Sequence, residues 1–231
     1  MLNLSPRLKM AADMVREGVV VADIGTDHAY LPAYLLLNKK VSGAIAADLR
    51  EMPLLNAKET LKTYGLEGKI PLVLSNGLDD LEPNCADDIV IAGMGGILIT
   101  EILERCKWIF DSTIRIVVQP MSHAEDVRRF FISNGFEILR EDATVDSSRT
   151  YVAINAVYTG KDYSNLPPSF AYIGKLCESD SIYAKDYLQK QSQRLKMRAD
   201  ALTQIDKNDR EAELLYSIIS DIERCVENGN S

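Results

Sequence analysis

Within seven residues, Asp23-Ile24-Gly25-Thr26-Asp27-His28-Ala29, the chain places two carboxylates, a hydroxyl and an imidazole around one glycine. Gly25 directly follows the apolar run Val19 to Ile24, and its missing Cβ lets backbone amides approach a bound molecule. The fingerprint G-x-G-x-x-G is absent, because Asp27 and Ala29 stand where its further glycines would be. No pyrophosphate cradle is encoded, which disfavours NAD and is no obstacle to a ligand without phosphate. Taken alone, the turn also reads as a tight reversal after a buried strand. Asp27 offers a carboxylate to orient an amino or cationic group. His28, one of two histidines, reads as a structural hydrogen-bonding residue ahead of a base. The other, His123, reads as the start of a helix.

Downstream positions complete a constellation. Ser42-Gly43-Ala44-Ile45-Ala46-Ala47-Asp48 ends in an acid about twenty residues after the glycine, a spacing suited to a carboxylate that accepts from both ribose hydroxyls. The plain alternative for Asp48 is an N-cap for a helix starting near Glu51. In Ser75-Asn76-Gly77-Leu78, a side-chain amide beside a glycine suits an adenine edge, or forms an ordinary Asn-Gly turn. Ala92-Gly93-Met94-Gly95-Gly96 is richer in glycine than a strand-to-helix turn requires, which permits unusual backbone angles beside a ligand.

These residues need a scaffold that brings strand ends together. Apolar runs at 19–24, 43–48, 70–75, 87–92 and 113–119 alternate with helix-period segments near 30–38, 51–64, 96–106 and 123–134, the pattern of a parallel sheet with crossover helices. A leading helix over 5–17 takes Ser5 as N-cap and Pro6 in its first turn. The alternation stops at Phe136 to Asp142 and Thr150 to Tyr158, which pair as an antiparallel hairpin across the polar stretch Thr144 to Ser148. Residues 160–168 form a Pro-containing connector. Beyond it, Ile182, Tyr183, Tyr187, Leu188, Gln191, Leu195, Ala199 and Leu202 make one helical stripe, and Ala212, Leu215, Ile218, Ile219 and Ile222 another. The expected architecture is an α/β domain over 1–160 and a small helical hairpin over 161–231.

With 34 acidic and 26 basic residues the net charge is −8, so a polyanionic partner would have to meet a local patch. Such a patch exists from Lys185 to Arg198, where Lys185, Lys190, Arg194, Lys196 and Arg198 face one acid, Asp186. Cys85, Cys106, Cys177 and Cys225 are scattered without a C-x-x-C, which points to free thiols and to neither a metal site nor a disulfide framework. The start of the chain lacks the apolar core of a signal peptide, and no apolar run is long enough to span a bilayer. The expectation is a cytoplasmic protein.

A parallel sheet of alternating units closed by a hairpin resembles the class I, Rossmann-like methyltransferase fold. The strings Leu4-Ser5-Pro6-Arg7-Leu8, Asp23 to Pro32, Ala92 to Gly96 and Gln119-Pro120 resemble, in wording and order, the bacterial tRNA (adenine-22-N1)-methyltransferase family. That resemblance covers essentially the whole chain. It implies S-adenosyl-L-methionine as cofactor, no metal, and a cofactor set of Arg7, Gly25, Thr26, Asp27, His28, Asp48, Leu49, Asn76, Gly77, Ala92, Gly93, Met94 and Gly95. Met52, Ile97 and Met121 depart from the family pattern near the open face of the sheet.

The resemblance also implies methylation of N1 of an adenine in tRNA. N1 carries an available lone pair at neutral pH, so positioning outweighs base catalysis, and Asp27 and His28 are the candidate catalytic residues. The absence of a [DNS]-P-P-[FYW] tetrad after the fourth strand fits a ring nitrogen rather than an exocyclic amine. N1 lies on the Watson–Crick edge, so the base must be exposed or flipped. Arg149, Tyr151, Lys190, Arg194, Lys196 and Arg198 are the candidate tRNA contacts, the helical cluster being equally readable as a solvated face. Two alternatives stay open: a methyltransferase with a non-tRNA substrate, and a non-catalytic cofactor-binding interaction module.

Overall fold

The structure, a computed structural model, describes residues 2–228. Seven strands form one sheet: β1 Val20–Ile24, β2 Gly43–Asp48, β3 Leu72–Leu74, β4 Asp88–Gly95, β5 Arg115–Ser122, β6 Phe136–Asp146 and β7 Arg149–Tyr158. Their order is β3-β2-β1-β4-β5-β7-β6, parallel through β5, with β7 antiparallel to both its neighbours. The central strands are apolar because both faces are covered. On β4, Ile89 and Ile91 enter one core with Ile99 and Phe131, whereas Val90 enters the other with Ala11, Val21 and Leu35. The covering helices are α1 Pro6–Met14, α2 Tyr30–Leu37, α3 Glu51–Thr63, α4 Gly96–Arg105 and α5 Ala124–Ser133.

The expected α/β class holds, and the boundaries shift for physical reasons. β4 runs on through Ala92-Gly93-Met94-Gly95, with register shifts against β5 where the glycine-rich segment departs from regular pairing. β6 continues to Asp146, so the hairpin turn is only Ser147 and Ser148, both left-handed at φ 47° and 68°. Ser5 stands at the N-cap of α1 without a side-chain capping bond.

The segment beyond β7 contains a short α6 Phe170–Ile173 and two long helices, α7 Ile182–Ile205 and α8 Arg210–Asn228. Leu188, Leu195, Leu215, Ile218 and Ile222 pack together and against Ala143 and Val152 of the hairpin. Ile182, counted in the apolar stripe from its spacing, is 79% exposed at the first turn of α7. Cys177 and Cys225 form a disulfide with Cα atoms 5.8 Å apart, which corrects the expectation of free thiols. The reason is topological: α8 runs back along α7 and returns its end to the turn that precedes α7. Cys85 and Cys106 are free.

A buried ion pair joins this appendage to the sheet. Arg128 of α5 donates from Nη2 to Glu141 of β6 at 2.7 Å and from Nη1 to the carbonyls of Ala171 and Tyr172 at 3.1 and 3.3 Å. The Lys175 amide also donates to Glu141, at 3.3 Å. Among the described residues, no helix is long and apolar enough to cross a membrane, and no group of three or more His, Cys, Asp or Glu side chains is placed to hold a metal ion.

Candidate active site

The strand order reverses between β1 and β4, and ligands of open α/β sheets bind outside the carboxyl ends of strands at such a point. A cavity of about 450 Å³ opens there, walled by Gly25 to His28, Tyr30, Ala92, Gly93 and the segment Asn3 to Leu8. Gly25 and Gly93 both have positive φ, +71° and +81°. A Cβ on Gly93 would sit 3.0 Å from the Arg7 guanidinium, and one on Gly25 would collide with the Met94 methyl. Both glycines are therefore required by conformation and by space.

Carboxylates gather in and beside the cavity. Asp23 is 5% exposed and accepts a 2.5 Å bond from the Thr26 hydroxyl. Burial pushes its carboxyl up to about 7, opposed by the Thr26 bond and reinforced by the nearby Asp48 charge. Asp48 is also buried; one oxygen accepts from the Arg50 amide at 3.0 Å, and the other has a long 3.4 Å contact from the Asp27 amide. It braces the entry to α3 with one oxygen, while Arg50 occupies the N-cap. Asp27 and Ala29 are left-handed at φ 51° and 54°, flanking His28, whose Nε2 lies 3.7 Å from the largely exposed Asp27 carboxylate.

Arg7 reaches from α1 to Gln119 Oε1 at 3.1 Å and to Asp146 of the hairpin at 3.7 Å. Gln119 is fully buried and also donates to the Pro120 carbonyl at 3.0 Å. This network joins the amino-terminal helix, the end of β5 and the hairpin beneath Gly93. Ser5, expected only as a helix cap, and Tyr30 also line the cavity; the Leu4-Ser5-Pro6-Arg7 string and the Asp-His-Ala-Tyr wording carry the available signal for them. The Ser5 hydroxyl is buried without a hydrogen-bond partner.

Other candidates separate. Asn76 is exposed at the end of β3 with Leu49 and Leu74 nearby in the chain order of the strand ends. A Cβ on Gly77, at φ +68°, would meet Ile102 at 2.7 Å, and one on Gly96 would meet the His123 carbonyl, so α4 and the start of α5 approach these two glycines closely. Of Gly93, Gly95 and Gly96, only Gly93 adopts positive φ, which narrows the expectation of unusual angles to one position.

Arg149 is exposed beside the hairpin turn, whereas Tyr151 is 9% exposed, packing in the core while also lining a small cavity with Met121, Gln191 and Arg194. The helical cations each have a carboxylate: Lys190 with Asp186, Arg194 with Glu125, Lys196 with Asp200 and Arg198 with Glu211. Arg194 and Arg198 line a cleft with His123 and Arg129, while Lys196 lies on another face beside Gln189 and Gln193.

A glycine-bordered, carboxylate-lined cavity at the switch point of this sheet defines a class I methyltransferase, and a family model described as a methyltransferase domain matches residues 4–154. The tRNA (adenine(22)-N(1))-methyltransferase of Bacillus subtilis strain 168 is 38% identical over 161 residues, covering 70% of this chain and 68% of that protein. The crystal structure of the B. subtilis M1A22 tRNA methyltransferase TrmK superposes with a TM-score of 0.82 at 28% identity, covering 100% of both chains. M. capricolum TrmK, solved with S-adenosyl-homocysteine, gives 0.78 at 26% identity over 97% of this chain and 98% of that one. The chain belongs to the tRNA (adenine(22)-N(1))-methyltransferase family.

Proposed function

We propose that this protein transfers the methyl group of S-adenosyl-L-methionine to N1 of an adenine in tRNA, adenine 22 by its family. The observation that carries the reading is the cavity itself: a crevice at the β1/β4 switch point lined by two positive-φ glycines and the carboxylates of Asp23 and Asp27, with Asp48 beyond its lining and in contact with the Asp27 amide. The residues present fit the cofactor. Gly25 and Gly93 leave space a Cβ would fill, the orphaned Ser5 hydroxyl awaits a partner, and the acidic lining suits a ligand with cationic groups. When bound, the cofactor supplies an activated methyl group.

Asp48 would hold the ribose hydroxyls through the oxygen left with only a long contact, with Leu49 and Asn76 flanking the adenosine. Thr26, Ala92, Met94, Gly95 and Gly77 complete or support its seat. Arg7, held by Gln119, sets the cavity wall behind Gly93. Adenine N1 needs no base to become nucleophilic, so the work of the chain is orientation and exclusion of water. Asp27 and His28 stand at the cavity, placed to stabilise the charge that passes to the base. Residues 1–160 act as the catalytic domain and 161–231 as the part that holds RNA; Met1 and 229–231 lie outside the described residues. A tRNA substrate places the protein in the cytoplasm.

The test is to incubate the purified protein with labelled cofactor and tRNA and identify the labelled nucleoside. Label in N1-methyladenosine, lost in Asp48→Ala, is the expected result. Label in another nucleoside, or none, rejects the assignment.

A further inference from the structure

The cavity does not extend over the whole cofactor seat. Asp48 and Asn76 are outside its lining, which runs from Gly25 and Gly93 toward Asn3, Leu4 and Ser5. The cavity is thus distinct from the ribose-holding position assigned to Asp48, and an acceptor must approach the methyl group rather than the ribose. Two aromatic rings stand in its wall, His28 and Tyr30, stacked with centroids 5.1 Å apart and planes inclined by 11°. Tyr30 is 40% exposed, so the pair is no core contact.

The backbone holds this arrangement at a cost. Asp27 and Ala29 both adopt left-handed angles, and Ala29 is fully buried with its amide bonded to the Thr26 carbonyl. Strain of this kind persists where surrounding structure fixes it, and it clusters at functional positions. Here it brings the side chains two residues apart at the start of α2 into a stack beside the cavity.

We propose that the Tyr30 ring, backed by His28, is the face on which the acceptor adenine stacks. The inference rests on the function assigned above and deepens it by naming how the base is oriented. A hydrogen bond to N1 would occupy the lone pair that must attack, whereas stacking grips the base by its faces and leaves the Watson–Crick edge free. In the reaction, the N1 lone pair forms the new N–CH3 bond as the S–CH3 bond breaks, its electrons going to sulfur. Positive charge passes from the sulfonium to the adenine ring. An aromatic face attracts a cationic ring more than a neutral one, so the stack strengthens as the reaction proceeds.

Tyr30→Ala, Tyr30→Leu, Tyr30→Phe and Tyr30→Trp are compared by kcat/KM for tRNA and by calorimetric affinity for S-adenosyl-L-methionine, with melting curves to verify folding. Loss of one base–aromatic stack is worth on the order of ten- to a hundredfold, expected in the Ala and Leu variants. Phe and Trp restore activity, and cofactor affinity stays within about twofold throughout. Wild-type kcat/KM in folded Tyr30→Leu overturns the proposal, as does a Phe variant as poor as Ala or a parallel loss of cofactor affinity. Wild-type protein that fails to methylate tRNA at all rejects the functional reading instead, independently of Tyr30.

Discussion

At the scale of single residues, Asp23 has the strongest environmental signature in the cavity. Burial raises its carboxyl from 3.8 to about 7, so the folded protein holds a proton there that the unfolded chain would release. The sign follows from linkage: as pH rises from the unfolded value through about 7, ionisation in the buried site costs stability, and below both values the cost vanishes. A cationic ligand reverses that cost by compensating the ionised carboxylate. Cofactor affinity should therefore rise as pH passes upward through about 7, with a slope of up to tenfold per unit below it, and Asp23→Asn should flatten the profile. Calorimetric titrations at a series of pH values check this, and an equally steep profile in the Asn variant rules Asp23 out as its source. The sequence showed Asp23 as part of a strand end, and nothing in the wording disclosed its depth. Its 5% exposure depends on chain segments that meet only in the fold, among them β2 and β4 on either side of it, which local pattern cannot report.

At the scale of elements, the joint between α5, β6 and α6 deserves equal weight, because the buried Arg128–Glu141 pair holds three segments through five groups. A Cβ on Gly174, at φ +55°, would strike both side chains, so the chain passes this point only as glycine. Breaking one member of such a pair strands a charge, and Arg128→Met or Glu141→Gln is expected to cost about 3–5 kcal/mol in denaturant unfolding. The double change to apolar residues should recover much of that loss; a double variant as unstable as the singles would show that packing, not stranded charge, sets the cost. Sequence pattern reveals the helix and the strand that carry the pair and leaves their meeting invisible. The strands β1 and β2 were legible because apolar runs end sharply at Gly25 and Asp48. The hairpin turn was not, since Ser147 and Ser148 adopt left-handed angles usually signalled by Asn-Gly. The depth of Tyr151 was not legible for a related reason: alternation along β7 is lost where both faces are covered, by α1 on one side and α7 on the other.

Across the whole molecule, a net charge of −8 requires that RNA be met by geometry rather than by overall attraction. The five-cation run on α7 was legible in the sequence; its division between two faces was not, because that depends on what α7 packs against. Lys190, Arg194 and Arg198 recur at helical spacing on one stripe, and Arg194 and Arg198 border the cleft between α5 and the helical pair. Lys196 lies on a different face. Arg194 is committed to Glu125, whose carboxyl burial would raise but which is held below its ordinary value by the Arg194 bond and charge together with a backbone hydrogen bond and the nearby His123. Lys190 and Arg198, with side chains 53% and 62% exposed, have partners that are also exposed, and surface pairs contribute only about 0–1 kcal/mol, so a phosphate can replace either carboxylate cheaply. The joint change Lys190→Ala with Arg198→Ala should weaken tRNA binding and reduce the slope of log affinity against log salt by about 1 to 2, while Lys196→Ala leaves the slope unchanged. Filter binding across a salt series distinguishes these outcomes. An unaltered slope in the double variant removes this stripe from the RNA path, and an equal loss in Lys196→Ala would mean that general charge, not the face toward the cleft, holds the RNA.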